Sequence, residues 1–425
     1  MGRKSTALVA FALFSLFFGA GNLILPPLLG FKAGKLWWLV ALGFSLSAVV
    51  IPILGILAHA RLQGTMFDFA KKVSPKFSVL YCYVVYAISI ALPSPRTASV
   101  THEMAVQPLA NTSSWITSII YFVLVFVFVI NRSKILDVIG KFLTPAILLV
   151  LVLVLGIATV TFDLSFGASS FERPFSYAIL EGYQTFDAIG AVVVGGVIII
   201  SINLRYRNAD YDTKKRLIAR AGALAGLGLF LVYTGLMFTG ALFQNSFDPN
   251  ISRTALLSGI SLATLGNVAH VFLSILVSLA CFTTAVGIVT GTADFIKGRF
   301  DNSQTAYWIT ALIGCVLGVF MGQFNVGYII AVALPALMFI YPITIVLILL
   351  NILPTKYAQA KVFKTVVLTT VLFSIPDFLG SIGFMKSPTP FTSWIPLKEY
   401  HMGWVLPAFF VFILGNLVFK PGRIQ

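Results

Sequence analysis

The chain has 425 residues, of which 58% are hydrophobic and only 10% are charged, whereas a soluble domain has roughly 25% charged residues. This composition excludes a water-soluble fold, because so few polar side chains cannot cover an apolar interior. The net charge of +15 does not indicate a nucleic-acid partner either, because the basic residues lie in short segments between apolar stretches of about 20 residues. We therefore predict an all-α polytopic membrane protein.

The apolar stretches predict about twelve membrane-spanning helices, numbered here as spans 1 to 12 in chain order. Loop charges support this count, because Lys and Arg collect on the cytoplasmic side of a membrane. With the N-terminus inside, the inside segments carry 22 of the 29 basic residues, so we predict that both termini lie inside. The predicted spans are 7–29, 36–58, 77–94, 113–131, 136–160, 176–201, 217–242, 267–293, 305–323, 326–351, 362–384 and 402–419.

Spans 1 and 6 contain residues that disfavour a continuous helix. Span 1 has two glycines, an asparagine and two prolines from Gly19 to Pro27, and proline removes a backbone donor and clashes with the preceding turn. Taken alone, this segment fits a simple proline kink equally well. Span 6 places Asp187 in an apolar run, and an acid at mid-membrane depth by default marks a functional site. Interrupted helices in corresponding positions of two halves are typical of transporters with inverted repeats.

Span 8 carries two adjacent hydroxyl residues, Thr283 and Thr284. Buried threonine usually bonds back to its own helix, but hard oxygen ligands are also what a small alkali cation needs. The three cysteines, Cys82, Cys281 and Cys315, all lie in apolar spans, and we predict neither disulfides nor a transition-metal site.

Four strings together resemble the bacterial branched-chain amino acid:cation symporter family. They are GAGN followed by two prolines (Gly19 to Pro27), Pro95 to Ala98 with Glu103, GYxTxDxxGA (Gly182 to Ala191), and CFTTAVG of span 8. The resemblance covers the whole chain, and this family is similar to the leucine transporter fold. It implies one transporter domain, 1–425, with a first repeat at about 7–160, a second at about 176–351 and two extra helices at about 362–419.

The same resemblance implies a function. We expect a secondary active symporter in the bacterial cytoplasmic (inner) membrane that imports leucine, isoleucine and valine by alternating access. The coupling ion is expected to be sodium, with a proton as the other possibility, and no cofactor is expected. The substrate carboxylate would bind the main-chain amides of Ala20 and Gly21. Asn22 and Asp187 are also expected at the substrate. Tyr86, Phe186 and Ile189 are expected to line an apolar pocket for an aliphatic side chain, with ordinary packing as the other interpretation.

The cation-binding residues are also implied by the resemblance. The pattern in span 8 matches Ala280, Thr283 and Thr284, which would act with the carbonyl groups of Ser15 and Phe18. Asn22 and Thr185 are expected to bind a further sodium ion near the substrate. Asp187 departs from the fold's usual small polar residue, which leaves it open as a cation partner, a proton site or a contact of the amino group.

Alternative interpretations concern the substrate and the class of protein. The same fold could carry another neutral amino acid or a nucleobase. An intramembrane enzyme using Asp187, Glu103 and His102 is disfavoured, because the sequence has no HExxH or GxSxG motif. Nothing reads as the selectivity filter of a channel. Arg96, Glu103 and Glu181 are expected at the outer ends of helices, as gates, as ion pairs or as ordinary interfacial charges.

Overall fold

The computed structural model describes residues 3–131, 135–206, 210–384 and 395–419, and these form helices and no strands. Short 3-10 turns cover Gly34–Leu36 and Lys398–Tyr400, and π-helical turns cover Leu46–Val50 and His102–Val106. The α-helices of the described residues are α1 Arg3–Phe17, α2 Ala20–Leu23, α3 Leu25–Ala33, α4 Trp37–Ser45, α5 Ile51–Leu62, α6 Met66–Ala70, α7 Pro75–Ala91, α8 Pro93–Thr101, α9 Gln107–Ala110, α10 Ser114–Asn131, α11 Ile135–Thr161, α12 Pro174–Tyr183, α13 Asp187–Arg205, α14 Tyr211–Leu242, α15 Arg253–Arg299, α16 Gln304–Gly322, α17 Val326–Ile352, α18 Ala360–Ser381 and α19 Val405–Val418.

The prediction of an all-α membrane protein is confirmed. Among the described residues, eight helical segments are long and apolar enough to cross a membrane, and shorter apolar helices occur at Lys4–Ser15, Pro145–Thr161 and Val405–Val418. The count of twelve spans and the inside location of both termini stay predictions. Span 8 corresponds to the part of α15 that follows Gly266, where the backbone is non-helical (φ 73°, ψ −177°).

The breaks expected in spans 1 and 6 are present. Span 1 is divided into α1, α2 and α3, and span 6 is divided into α12 and α13. The first break packs against α14, because α1 and α3 both contact that helix, while α12 contacts α4 and α13 contacts α5. The first interrupted helix is therefore held by the long α14, and the second by α4 and α5, which the π-helical turn Leu46–Val50 joins.

Two glycines allow the main chains of α3 and α14 to touch. A Cβ atom on Gly30 would lie 1.7 Å from the carbonyl oxygen of Met237, and one on Gly240 would lie 2.0 Å from the carbonyl oxygen of Pro27. Small residues at such positions are the usual means by which membrane helices approach closely. This contact fixes α3, and with it one side of the first break.

Candidate functional site

A cavity of about 390 Å³ lies where the two interrupted helices meet α7, α8 and α15. Its volume lies within the range of small-molecule sites, roughly 300–1,000 Å³. Phe18 and Ala280 do not line it, although each is next to, or one helical turn from, a residue that does. The side chain of Ala20 lies outside those that the structure describes. The lining includes ten of the residues expected from the sequence, namely Ser15, Gly21, Asn22, Tyr86, Thr185, Phe186, Asp187, Ile189, Thr283 and Thr284.

The first break begins at the end of α1. The backbone is extended at Gly19 (φ −87°, ψ 156°) before the four-residue α2 begins. Pro26 and Pro27 then lie in the first turn of α3, where a missing N–H costs nothing because it would have no partner within the helix. The carbonyl oxygen of Phe17 accepts hydrogen bonds from the Gly19 amide (3.0 Å) and from Asn22 Nδ2 (2.7 Å). The prolines therefore start a new helix and do not simply kink a continuous one.

The second break runs from Gln184 to Phe186. Phe186 adopts a left-handed conformation (φ 61°), which costs about 1–3 kcal/mol for a residue other than glycine. Thr185 Oγ1 donates to the Gly182 carbonyl (2.8 Å) and accepts from the Asp187 amide (3.2 Å). Strained backbone of this kind is found at ligand sites, where the surrounding structure holds it in place.

Asn22 and Asp187 join the two breaks. Asn22 Nδ2 lies 3.0 and 2.8 Å from the two carboxylate oxygens of Asp187 and 3.1 Å from the hydroxyl oxygen of Tyr233. Both residues are buried, and within the described parts of the chain no basic side chain forms an ion pair with Asp187. A buried carboxylate without a cation is costly, so this one is suited to bind a positively charged ligand.

Both span 8 threonines line the cavity, and Thr284 lies beside the first break. Thr283 Oγ1 and Thr284 Oγ1 donate to the carbonyl oxygen of Ala280 at 3.0 and 2.9 Å, as buried threonine hydroxyls usually do. This leaves the lone pairs of both hydroxyl oxygens available to a cation. Thr284 Oγ1 would lie only 3.7 Å from a Cβ atom on Gly19. The hydrogen bonds within the helix are thus compatible with cation binding at the same oxygens.

Some residues of the site were not expected there from the sequence. Arg96, placed by the sequence at an outer helix end, is 4% exposed and lines the cavity. Tyr341 of α17 accepts a hydrogen bond from the Ala188 amide (3.2 Å), and its ring stacks on Tyr183 at 4.2 Å. Tyr341 is a polar residue beside Pro342 in a strongly apolar span. That pattern could have indicated that Tyr341 supports the start of α13.

The acids expected near the outer helix ends do not line the cavity. Glu181 pairs with Arg253 at 2.6 Å, so it forms one of the expected ion pairs. Glu103 accepts hydrogen bonds from the Val326 amide at 2.8 Å and from the hydroxyl group of Thr254. His102 bonds Thr117 at 2.9 Å. The groups considered for an enzyme therefore do not converge, and the described residues contain no cluster suited to a metal ion.

The all-helical fold, with two interrupted helices around a central cavity, defines a membrane transport protein of the leucine transporter fold. The structure of a nucleobase-cation-symport-1 family transporter, in a closed conformation with bromovinylhydantoin bound, matches with a TM-score of 0.62 and 13% sequence identity, over 97% of this chain and 92% of that one. At the level of sequence, the model of the family described as branched-chain amino acid transport protein matches residues 2–421. The chain belongs to that family.

Named relatives agree with the family match. The chain is 31% identical to the branched-chain amino acid transport system 2 carrier protein of Pseudomonas aeruginosa, over 97% of this chain and 96% of the relative. It is also 31% identical to the branched-chain amino acid permease BraB of Bacillus subtilis, over 98% and 95% of the two chains. The family and fold inferred from the sequence are thereby confirmed. Because these relatives are carriers and permeases, the chain is a transport protein and not an enzyme.

Proposed function

We propose that this chain is a secondary active symporter that imports leucine, isoleucine and valine with sodium across the bacterial cytoplasmic membrane. The names of the family and of its relatives support the choice of substrate. The observation that carries the proposal is a single cavity bounded by both helix breaks and by the α15 hydroxyls. It combines exposed main-chain groups, a buried acid and hydroxyl oxygens, which suit a small zwitterion and an alkali ion.

The proposed cation position lies between α15 and the end of α1. Ser15, Thr283 and Thr284 all line the cavity there, and the nearby Gly19 carries no side chain that would cover Thr284. Hydroxyl and carbonyl oxygens at such a position match the hard oxygen ligands that small cations prefer. We assign this position to sodium, with the carbonyl groups of Ser15 and Phe18 as further ligands.

The proposed substrate position lies between the two breaks. Tyr86, Phe186 and Ile189 supply apolar surface to the same cavity, which fits an aliphatic side chain because burial of apolar surface favours binding. Asn22 and Asp187 provide the polar end. Tyr86 also stacks on Phe295 at 4.4 Å, so its ring is held in place by a residue that does not itself line the cavity.

Alternating access follows from the proposed repeats, which begin with the two interrupted helices. One charge moving inward gains about 2.3 kcal/mol per 100 mV, and a tenfold sodium gradient adds about 1.4 kcal/mol. Together, about 3.7 kcal/mol would sustain an accumulation of several hundredfold. A one-to-one stoichiometry is therefore sufficient for concentrative uptake.

The test is uptake of labelled leucine, isoleucine and valine into proteoliposomes that contain the purified chain. We expect saturable uptake that an inward sodium gradient stimulates. Uptake that responds to neither a sodium nor a proton gradient would refute the coupling. A competition panel of other neutral amino acids and nucleobases separates the proposed substrate from the alternative cargo.

The cation position has its own test. We expect Thr283→Ala and Thr284→Ala to raise the sodium concentration that gives half-maximal uptake by about tenfold or more, because each removes an oxygen ligand. The matched control is Thr264→Ala, since Thr264 is also in α15 and donates to the carbonyl of Ile260 (2.8 Å) but does not line the cavity. Unchanged sodium dependence in both cavity variants would remove the site from α15.

A further inference from the structure

Arg96 of α8 touches both helix breaks. Its Nη1 donates to the main-chain carbonyl of Gln184 at 2.7 Å, inside the second break. Its Nη2 would lie 2.7 Å from a Cβ atom on Gly21, so the guanidinium group lies against the first break. The ring of Phe186 is 5.5 Å from the guanidinium carbon. A single buried cation is therefore placed where the two interrupted helices meet.

This guanidinium group forms no ion pair within the described parts of the chain. Among the residues that the structure describes, its one hydrogen bond is to Gln184, and no carboxylate lies within ion-pair distance. An arginine carries five N–H donors, and an unpaired charge at membrane depth is costly unless a ligand or a water-filled cavity meets it. Arg96 lines the cavity, so the missing partner has room to bind there.

Asp187 presents the opposite charge to the same cavity. Its carboxylate is held by the amide group of Asn22 at 2.8 and 3.0 Å and has no basic partner in the described parts of the chain. The cavity is therefore lined by one buried guanidinium group and one buried carboxyl group that lie too far apart to form an ion pair with each other. A ligand with a carboxylate and an ammonium group would neutralise both.

We infer that Arg96 binds the carboxylate of the transported amino acid and that Asp187 binds its ammonium group. The inference rests on the proposed function and makes it more specific. It adds a side chain to the main-chain amides of Ala20 and Gly21 that are expected at the carboxylate, because the guanidinium group lies beside Gly21. Arginine suits this role because its planar fork matches the two oxygens of a carboxylate.

The arrangement makes the transporter selective for zwitterions. An amine without a carboxylate would leave Arg96 unpaired, and a carboxylic acid without an amine would leave Asp187 unpaired. Sites that hydrogen-bond a substrate group strongly reject analogues that lack it, because the buried polar partner is then unsatisfied. A nucleobase would satisfy neither charge.

The experiment measures binding of leucine, leucinamide and 4-methylpentanoate to the purified full chain at saturating sodium. Leucinamide lacks the carboxylate and 4-methylpentanoate lacks the ammonium group. For the wild type we expect each analogue to bind about 10- to 100-fold more weakly than leucine. Arg96→Gln should weaken leucine binding by a similar factor and leave leucinamide binding unchanged, so that the preference for leucine over leucinamide disappears.

Asp187→Asn provides the complementary measurement. It should weaken the binding of leucine and leucinamide but not that of 4-methylpentanoate. Arg173→Gln is the control, because it also removes an arginine, but from an exposed pair with Glu399 at 2.7 Å that lies outside the cavity. It should leave all three affinities unchanged.

Each outcome decides the inference. If Arg96→Gln keeps the wild-type ratio of leucine to leucinamide affinity, Arg96 only supports the breaks and the inference is wrong. If that variant does not fold, the comparison of leucine and leucinamide on the wild type decides. Equal affinity for the two ligands would overturn the assignment. If the wild type binds a different neutral amino acid, the proposed substrate is wrong, and the comparison is made with that amino acid and its amide. If the wild type binds no amino acid, both proposals fail.

Discussion

Gly21→Ala tests the placement of Arg96 without changing any charged residue. The added Cβ atom would lie 2.7 Å from Nη2 of Arg96, 3.3 Å from Cζ and 3.4 Å from Nε. These are atoms at the end of a flexible side chain, so the helix can accept the methyl group if the guanidinium group moves. Alanine also favours helix over glycine by roughly 1 kcal/mol. We therefore expect the variant to fold.

The size of the movement follows from the contact. Ordinary contact begins at 3.4 Å, so the guanidinium group must move by about 0.7 Å, the difference from 2.7 Å. A shift of that size away from Gln184 would stretch the 2.7 Å hydrogen bond beyond the usual limit of about 3.2 Å. The displaced guanidinium group would also lose its aligned contact with the carboxylate of leucine. Loss of a hydrogen bond to a charged group costs about 1.5–3 kcal/mol, which corresponds to roughly 10- to 150-fold in leucine affinity.

The assay is leucine binding to purified Gly21→Ala protein, together with its melting temperature. Gly298→Ala is the matched control, because a Cβ atom there meets nothing within 4 Å and the residue does not line the cavity. We expect both variants to fold and leucine binding to weaken in Gly21→Ala alone. Leucine affinity equal to that of the wild type would refute the reasoning, since it would mean that displacing the guanidinium group does not matter.

Two further predictions concern stability. Gly30→Ala should strongly reduce the yield of folded protein relative to Gly298→Ala. Its Cβ atom would lie 1.7 Å from the main-chain carbonyl oxygen of Met237, which cannot rotate away, and overpacking typically costs about 1–3 kcal/mol or more. Normal yield and melting temperature would contradict the close contact. Glu181→Gln should lower stability by about 2 kcal/mol, because it leaves the partly buried Arg253 without its partner at 2.6 Å. Adding Arg253→Gln should recover part of that loss in a double-mutant cycle of melting temperatures, and simple additivity would show that the pair does not interact.

The sequence allowed the fold class and both helix breaks to be predicted, because their signals are local. Two prolines and two glycines in one apolar run, and an acid in another, conflict with a continuous membrane helix wherever the rest of the chain lies. The hydroxyl pair of α15 is also local, since Thr283 and Thr284 are adjacent. Their position in the lining of the cavity, with Thr284 beside Gly19, is a tertiary fact that only the structure reveals.

Arg96 shows why the rest could not be predicted. It follows an apolar span and lies between prolines and polar residues, a context that indicates a helix end at the membrane surface. In the structure the chain turns at Leu92, and α8 continues inward as a helix in which every residue is buried. The position of Arg96 depends on the packing of α8 against α15. No periodicity within the segment itself encodes that contact.

The contacts of the first break suggest how the two ligands are coupled. Gly19 lies beside Thr284 at the proposed cation position, and Asn22, three residues later, holds Asp187 at the proposed substrate position. Gly19 directly precedes the four-residue α2, and Asn22 belongs to that helix, so an ion that orders the break also fixes the geometry of Asn22. When the first ligand orders a segment that both ligands contact, the second ligand binds with a smaller loss of conformational entropy. Because such linkage is reciprocal, leucine must then raise the affinity for sodium by the same factor as sodium raises the affinity for leucine.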